Sequence, residues 1–291
     1  MSPERQAAKE KRSIALTSVI AAVFLTTFKL IIGFLTGSLG ILSEALHSGL
    51  DLVAAAITFF AVKAADKPAD KEHHFGHGKI ENYSALMETI LLVITCGWII
   101  YEAVHRLMTG KTHIDVTIWS FVVIVTSIVI DVSRSRALYR VAKKHNSQAL
   151  EADALHFSTD IWSSAVVLVG LSGALFGFYY ADAISALIVA MIVLSVSYRL
   201  GKRSFNALVD TAPQGLREEI LSIIQNLPDV KFSHDIKVRE SGPNKFVELN
   251  IHVDKNMTIE KAHEISHEVE RAITSKIQNI EVMVHTEPDK D

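Results

Sequence analysis

Apolar runs of bilayer length, none broken by proline, most restrict what this chain can fold into. They cover roughly residues 13–35, 40–65, 83–104, 116–132, 161–178 and 183–198, and the fifth helix is expected to begin earlier, near Gln148. At helical rise, about 20 residues cross a hydrocarbon core about 30 Å thick. Pro3, Pro68, Pro213, Pro228, Pro243 and Pro288 all lie outside these runs, as unbroken backbone hydrogen bonding in lipid favours. Hydrophobic residues make up 49% of the chain, and its mean hydropathy is +0.27. The first run is too long for a signal peptide and lacks a convincing cleavage site, so it is read as a retained membrane segment. The expectation is an α-helical membrane body with six transmembrane helices over residues 13–206, preceded by an N-terminal arm of residues 1–12.

Charge placement orients that body in the bilayer. Arg5, Lys9, Lys11 and Arg12 precede the first run, and Lys63, Lys67, Lys71 and Lys79 surround the loop after the second. Arg134, Arg136, Arg140, Lys143 and Lys144 follow the fourth run, and Arg199, Lys202 and Arg203 follow the sixth, against only Arg106 and Lys111 on the other side. The positive-inside rule therefore predicts both termini in the cytoplasm. Runs two and five are then antiparallel. The net charge of -3 is too small to imply a nucleic-acid partner. Cys96 is the only cysteine and lies in an apolar run, so a disulfide or thiolate site within one chain is excluded.

From about Ala207 the texture becomes soluble α+β. Leu216 to Asn226 reads as an amphipathic helix, and Val230 to Arg239 and Phe246 to Val253 alternate as strands about a Ser241-Gly242-Pro243-Asn244 turn. A helix from Thr258 to about Ile277 and a strand from Ile280 to His285 complete an αββαβ order. Residues 207–291 are thus expected to form a small cytoplasmic domain, of a size that often gains stability by pairing.

Two stretches inside the membrane body read alike: Ala45-Leu46-His47 with Asp51, and Ala154-Leu155-His156 with Asp160. On a helix, residues four apart share a face. A carboxylate near mid-bilayer costs about 2.5–3.5 kcal/mol to insert, so such residues mark function by default. Asp51 lies about 16 Å along the helix from Gly40, and Asp160 lies at a similar depth from the other side. Two antiparallel faces would then offer two imidazoles and two carboxylates at one level. That nitrogen and oxygen set suits zinc, with cadmium, cobalt or ferrous iron as alternatives and manganese less suited.

These features together resemble the cation diffusion facilitator family of divalent-metal/proton antiporters, over essentially the whole chain. The resemblance implies that His47, Asp51, His156 and Asp160 form the transport site, with the histidine at position 47 similar to the zinc-preferring branch. It implies an obligate homodimer in a lipid bilayer, alternating between inward-facing and outward-facing states, and a metallochaperone-like C-terminal domain. The function expected is Zn2+ efflux by Zn2+/H+ antiport, with protons as counter-ion, from the inner membrane of a prokaryote; export of Cd2+, Fe2+, Co2+ or Mn2+ on the same fold is the alternative. In the polar loop 66–78, Asp70, His73 and His77 match the family's loop ligands, while His74 has no assigned role. Lys79 and Asp210 match an interdomain ion pair. His234, His263, His285 and Glu287 match a cytoplasmic, regulatory metal site. Two departures bear on that last set: Asn250 replaces a bridging histidine, and Glu287 replaces aspartate. His252 shares the strand face of Asn250 but is expected roughly 7 Å further along it.

A membrane metal sensor would also want ligands and a soluble domain, but not a symmetric mid-membrane set. An intramembrane metalloenzyme would keep an open coordination position beside three protein ligands. Four ligands are offered here, with no His-Glu-x-x-His and no nucleophile motif, so the chain is read as a transporter and not an enzyme.

Overall fold

Six long helices occupy the positions of the expected spans. In the computed structural model, which describes residues 3–37, 39–109, 118–175 and 181–289, they are α1 (Pro3–Thr36), α2 (Leu39–Ala65), α3 (Lys79–Thr109), α4 (Ile118–His145), α5 (Gln148–Leu175) and α6 (Ala181–Leu208). Residues 116 and 117 of the expected fourth span, 176–178 of the fifth, and Lys111 lie outside the described residues. By length and composition alone, three helices among the described residues are apolar enough to cross a membrane: Arg5–Thr36, Glu44–Ala65 and Lys79–Thr109. Pro3 opens α1, where a missing N–H costs nothing.

The helices are built inside out relative to a soluble bundle. Along α3 the exposed face carries Ile90, Ile94, Trp98, Tyr101 and Met108, while Glu81, Ser84, Glu88 and Thr89 are buried. On α1 the exposed positions are Leu16, Ile20, Phe24 and Ile31, and the buried ones include Lys11, Ser18 and Lys29. Charges inside and apolar groups outside are what a hydrocarbon surround demands. Each buried charge has a partner. Lys29 donates to Ser48 Oγ at 2.8 Å and approaches Glu44 at 3.3 Å, Arg134 donates to Ser18 Oγ at 3.0 Å, and the Thr58 hydroxyl donates to Glu88. Small and medium side chains, Ala15, Ala22, Ala55, Ala149 and Ala154 beside Leu138 and Phe157, fill the seams between α1, α2, α4 and α5.

Two compact units emerge: Met1–Pro68 with Ile80–Ser204, and Ala69–Lys79 with Phe205–Asp291. The second contains α7 (Leu216–Ile224), β1 (Phe232–Ser241), β2 (Asn244–Val253), α8 (Ile259–Lys276) and β3 (Ile280–Pro288), with the sheet ordered β1-β2-β3. β1 and β2 pair antiparallel, β2 and β3 parallel. Val247, Leu249, Ile251 and Val253 alternate inward from β2, and Ile265, Val269 and Ile273 face them from α8 at one-turn intervals. Thr258 caps α8 by accepting the Lys261 N–H at 3.3 Å.

The loop after α2, expected with the membrane body, instead packs within the C-terminal unit from residue 69 onward. Its Phe75 meets Phe246 edge-on with ring centroids 5.2 Å apart, and the Arg239 guanidinium lies 3.8 Å from the Phe75 centroid. Gly78 crosses Ser241 and Gly242 of the β1–β2 turn so closely that a Cβ on Gly78 would sit 2.2 Å from the Ser241 carbonyl oxygen. Gly78→Ala is therefore expected to lift the loop from the turn at a cost of about 1–3 kcal/mol. Hydrogen exchange should report it as amides of residues 70–78 exchanging about tenfold faster.

Candidate metal centre

Helical spacing puts His47 and Asp51 on one face of α2, and His156 and Asp160 on one face of α5. The structure brings the two faces together. His156 Nε2 lies 3.1 Å from Asp51 Oδ1, and His47 Nε2 lies 3.7 Å from Asp160 Oδ1. Within each helix, His47 Nε2 is 3.9 Å from Asp51 Oδ1 and His156 Nε2 is 3.9 Å from Asp160 Oδ2. The first residue of each motif thus faces the last residue of the other, the crossed pairing that antiparallel helices produce. Asp51 and His156 are buried at 8% and 7% exposure, whereas the His47 side chain is 42% exposed. The imidazole of His47 is the open edge of the group.

The separations fit an ion. Nitrogen and oxygen ligands held tetrahedrally at about 2.0–2.1 Å lie about 3.3–3.4 Å from one another. The four observed distances, 3.1 to 3.9 Å, lie on either side of that value; His47, Asp51 and Asp160 are mutually within ligand range, and His156 reaches the group through Asp51. A metal held by these four side chains would require neutral imidazoles and ionised carboxylates, so protons would compete with it.

Around this quartet lies a layer of charges that motif reading missed. Asp131 approaches Arg134 at 3.4 Å, Ser18 donates to Asp153 at 3.1 Å, and Arg134 covers the Phe157 ring at 3.5 Å from its centroid. Glu88 and Asp153 are buried at 1% and 0% exposure, and each keeps one carboxylate oxygen without a protein partner. The available signal was an ionisable residue inside an apolar run, as at Lys29, Glu88 and Asp131.

In the loop, Asp70, His73 and His77 converge. Asp70 Oδ1 is 3.1 Å from His73 Nδ1, and Asp70 Oδ2 is 3.5 Å from His77 Nε2. Backbone N–H groups of His73 and Glu72 also donate to Asp70, and together with the His73 side chain they hold its carboxyl down to about 2. With its pKa below the unfolded value, this carboxylate keeps its contacts above the usual carboxylate range and loses them only as pH falls through about 2. His74 turns away, its Nε2 3.1 Å from the Lys71 carbonyl oxygen. Lys79 Nζ contacts Asp210 Oδ1 at 2.9 Å and the Leu208 carbonyl at 3.3 Å. Both partners belong to the C-terminal unit, so the pair closes one unit and does not bridge two. It is a partly exposed pair, of a kind worth little in isolation.

The C-terminal set divides. His234, His252 and Glu287 come together: Nε2 to Nε2 is 3.1 Å, and Glu287 Oε2 lies 3.7 Å from His234 and 3.5 Å from His252. His252 is directly opposite Glu287 on β3 and diagonal to His234 on β1, whose register partner is Asn250. A register shift between His234 and Lys237, with Asp235 in the left-handed region at φ 51, marks the strand there. The diagonal offset is within reach of two imidazole rings. Asn250 Nδ2 donates to Glu287 Oε1 at 3.0 Å and orients it. His285 stays 69% exposed with its Nε2 3.8 Å from Glu287. His263 is not in this cluster; it lies on α8 beside His267.

Residues 15–209 match the Cation efflux transmembrane domain, and residues 212–289 match the Cation efflux protein, cytoplasmic domain. The chain belongs to the cation efflux family. Cation efflux relatives align along nearly its whole length. The Cation-efflux pump FieF of Yersinia enterocolitica is 30% identical over 286 residues, covering 97% of this chain and 94% of that protein. Its counterpart in Serratia proteamaculans is 31% identical over 288 residues, covering 98% and 95%. Among solved structures, the metal-bound C-terminal domain of the CzcD transporter from Thermotoga maritima is 28% identical and covers 25% of this chain and 86% of that one. Its TM-score is 0.25, at which the likeness carries no argument. As a cation efflux protein the chain is a membrane transporter, and the buried charges within its helices are to be read in that setting.

Proposed function

We propose that this cation efflux protein is a Zn2+/H+ antiporter, six-spanning and homodimeric, with His47, Asp51, His156 and Asp160 as its transport site. Both termini lie in the cytoplasm, residues 1–12 being an arm, 13–206 the membrane domain and 207–291 the cytoplasmic domain. One observation carries the reading. Two imidazoles and two carboxylates from α2 and α5 meet in crossed pairs at distances a tetrahedral ion would close. The equal nitrogen and oxygen set supports zinc, with export of Cd2+, Fe2+, Co2+ or Mn2+ on the same fold as the alternative, and the competition of protons for those ligands supports proton coupling. Asp70 with His73 and His77, and His234 with His252 and Glu287, are cytoplasmic holding or regulatory sites for the same ion. Lys79 and Asp210 anchor the start of α3 to the chain that follows α6.

The test is flux in proteoliposomes. Zinc uptake driven by a pH gradient, and collapsing when the gradient is dissipated, is the expected result; flux indifferent to the gradient rejects antiport. Zinc binding with no flux at all would make the protein a sensor. His47→Asp makes the set richer in oxygen and is expected to move transport from zinc toward manganese by about tenfold or more, with cadmium measured alongside. Unchanged selectivity would remove His47 as the filter.

A further inference from the structure

We propose that Glu88 of α3 is a proton-binding site separate from the metal ligands, and that with Asp153 it relays protons between the transport quartet and the N-terminal end of α3. The relay presupposes Zn2+/H+ antiport and adds to it a helix that supplies no metal ligand. Glu88 is 1% exposed, yet its one hydrogen-bond partner among the described residues is the Thr58 hydroxyl of α2, which donates to Oε1. Its Oε2 has no partner, so neither oxygen bonds to a member of the quartet. Among the described residues no lysine or arginine pairs with it, and the charged groups that face it are Asp153 and His156 of α5. A carboxyl group buried this deeply without a cation holds a proton in preference to a charge.

Asp153 is as deeply buried but differently served. Arg134 donates to Ser18 Oγ at 3.0 Å, and Ser18 donates to Asp153 Oδ2 at 3.1 Å, so a guanidinium supports its negative charge through one hydroxyl. Asp51 and His156 also face it, and its Oδ1 has no protein partner. Of these two carboxyl groups, one is placed to stay ionised and the other to carry the proton. Asp153 precedes His156 by one turn of α5. Glu88 follows Glu81 by two turns on the same face of α3, about 10 Å along it, with Ser84 between them. The Ser84 hydroxyl is buried without a protein partner, and Glu81 meets Lys11 at 2.8 Å. Polar groups therefore run from the quartet to the N-terminal end of α3, which the proposed topology puts on the cytoplasmic side. Buried acids in line through a membrane body mark proton paths. A proton displaced from the quartet by an incoming ion passes to Asp153 and on to Glu88. The Glu88 O–H bond breaks as its proton leaves toward Glu81, the electron pair stays on Oε2, and the proton from Asp153 restores the bond.

Infrared spectroscopy and zinc flux on the full-length protein in proteoliposomes test the relay. At neutral pH the wild type should show the carbonyl band of a buried neutral carboxyl group. Glu88→Gln, whose amide oxygen still accepts from Thr58, should delete that band. The same variant is expected to keep zinc affinity and KM within about twofold while maximal turnover falls by about 100-fold. Formate or azide, small anions that carry protons, should restore part of the lost turnover, which a merely structural defect does not allow. Glu88→Asp keeps an acid at the position and should retain the band and most of the turnover. Wild-type flux that ignores the pH gradient rejects antiport, and the relay with it. Where wild-type flux follows the gradient, three results overturn the relay alone: a band that survives in Glu88→Gln, turnover and a pH profile in that variant that match wild type, or a loss in Glu88→Asp as large as in Glu88→Gln.

Discussion

Asp51→Ala is expected to abolish zinc transport in proteoliposomes, with metal affinity at the site falling by more than about 100-fold. Asp51 makes the closest approach in the quartet, 3.1 Å to His156, and a single oxygen of it also faces His47 at 3.9 Å. Removing it leaves both imidazoles without their shared anion and the ion without one of four ligands. Even an outer-layer partner of a metal ligand is typically worth about 10–100-fold in affinity, and a ligand should exceed that. Asp51→Asn separates charge from shape: the amide fills the same space but carries no negative charge to balance a divalent ion. It is expected to transport as poorly as the alanine variant. Wild-type flux in Asp51→Asn would mean that the carboxylate is not a ligand.

Glu81→Ala should strike stability hardest. Lys11 is 4% exposed and Glu81 0% exposed, with Lys11 Nζ 2.8 Å from Glu81 Oε1 and 2.6 Å from Asp66 Oδ1. The Ser147 hydroxyl donates to Glu81 as well, so one carboxylate ties α1, α3 and the start of α5 together. Removing one member of a buried ion pair costs about 3–5 kcal/mol, and the lower end, about 3 kcal/mol, applies here because Lys11 keeps Asp66 at 2.6 Å. At about 2–4 °C per kcal/mol for a large domain, thermal denaturation in detergent should fall by roughly 10 °C. Adding Lys11→Met to Glu81→Ala should return little of the loss, because it takes from the buried Asp66 carboxylate its 2.6 Å partner and leaves it Arg12 at 3.2 Å. A melting temperature unmoved by Glu81→Ala would show that water reaches the pair.

Legibility differed with the range of the interaction. The helical body was readable because bilayer length and proline placement act locally. Its inside-out character appears in sequence only as scattered charges, Lys29, Glu88 and Asp131, within apolar runs. The β2 and α8 cores were readable from periods of two and of one turn. The His252 contact was not, because the register shift in β1 and a diagonal ring approach decide which imidazoles meet. His263 was expected with His234, yet its own helix gives it a nearer partner in His267. The loop histidines were visible as a cluster, but their packing against the β1–β2 turn depends on Gly78, Phe75 and Arg239 meeting across a long stretch of chain.

Local periodicity alone determined that His47 pairs with Asp51 and His156 with Asp160, because residues four apart on a helix cannot avoid sharing a face. It also determined the apolar helices and the αββαβ order. Only the tertiary structure decided that the two motifs cross at 3.1 and 3.7 Å, that Lys11 finds Glu81 seventy residues away, and that the polar loop joins the C-terminal unit. Contacts between distant parts of the chain depend on packing and register, which no short window of residues encodes.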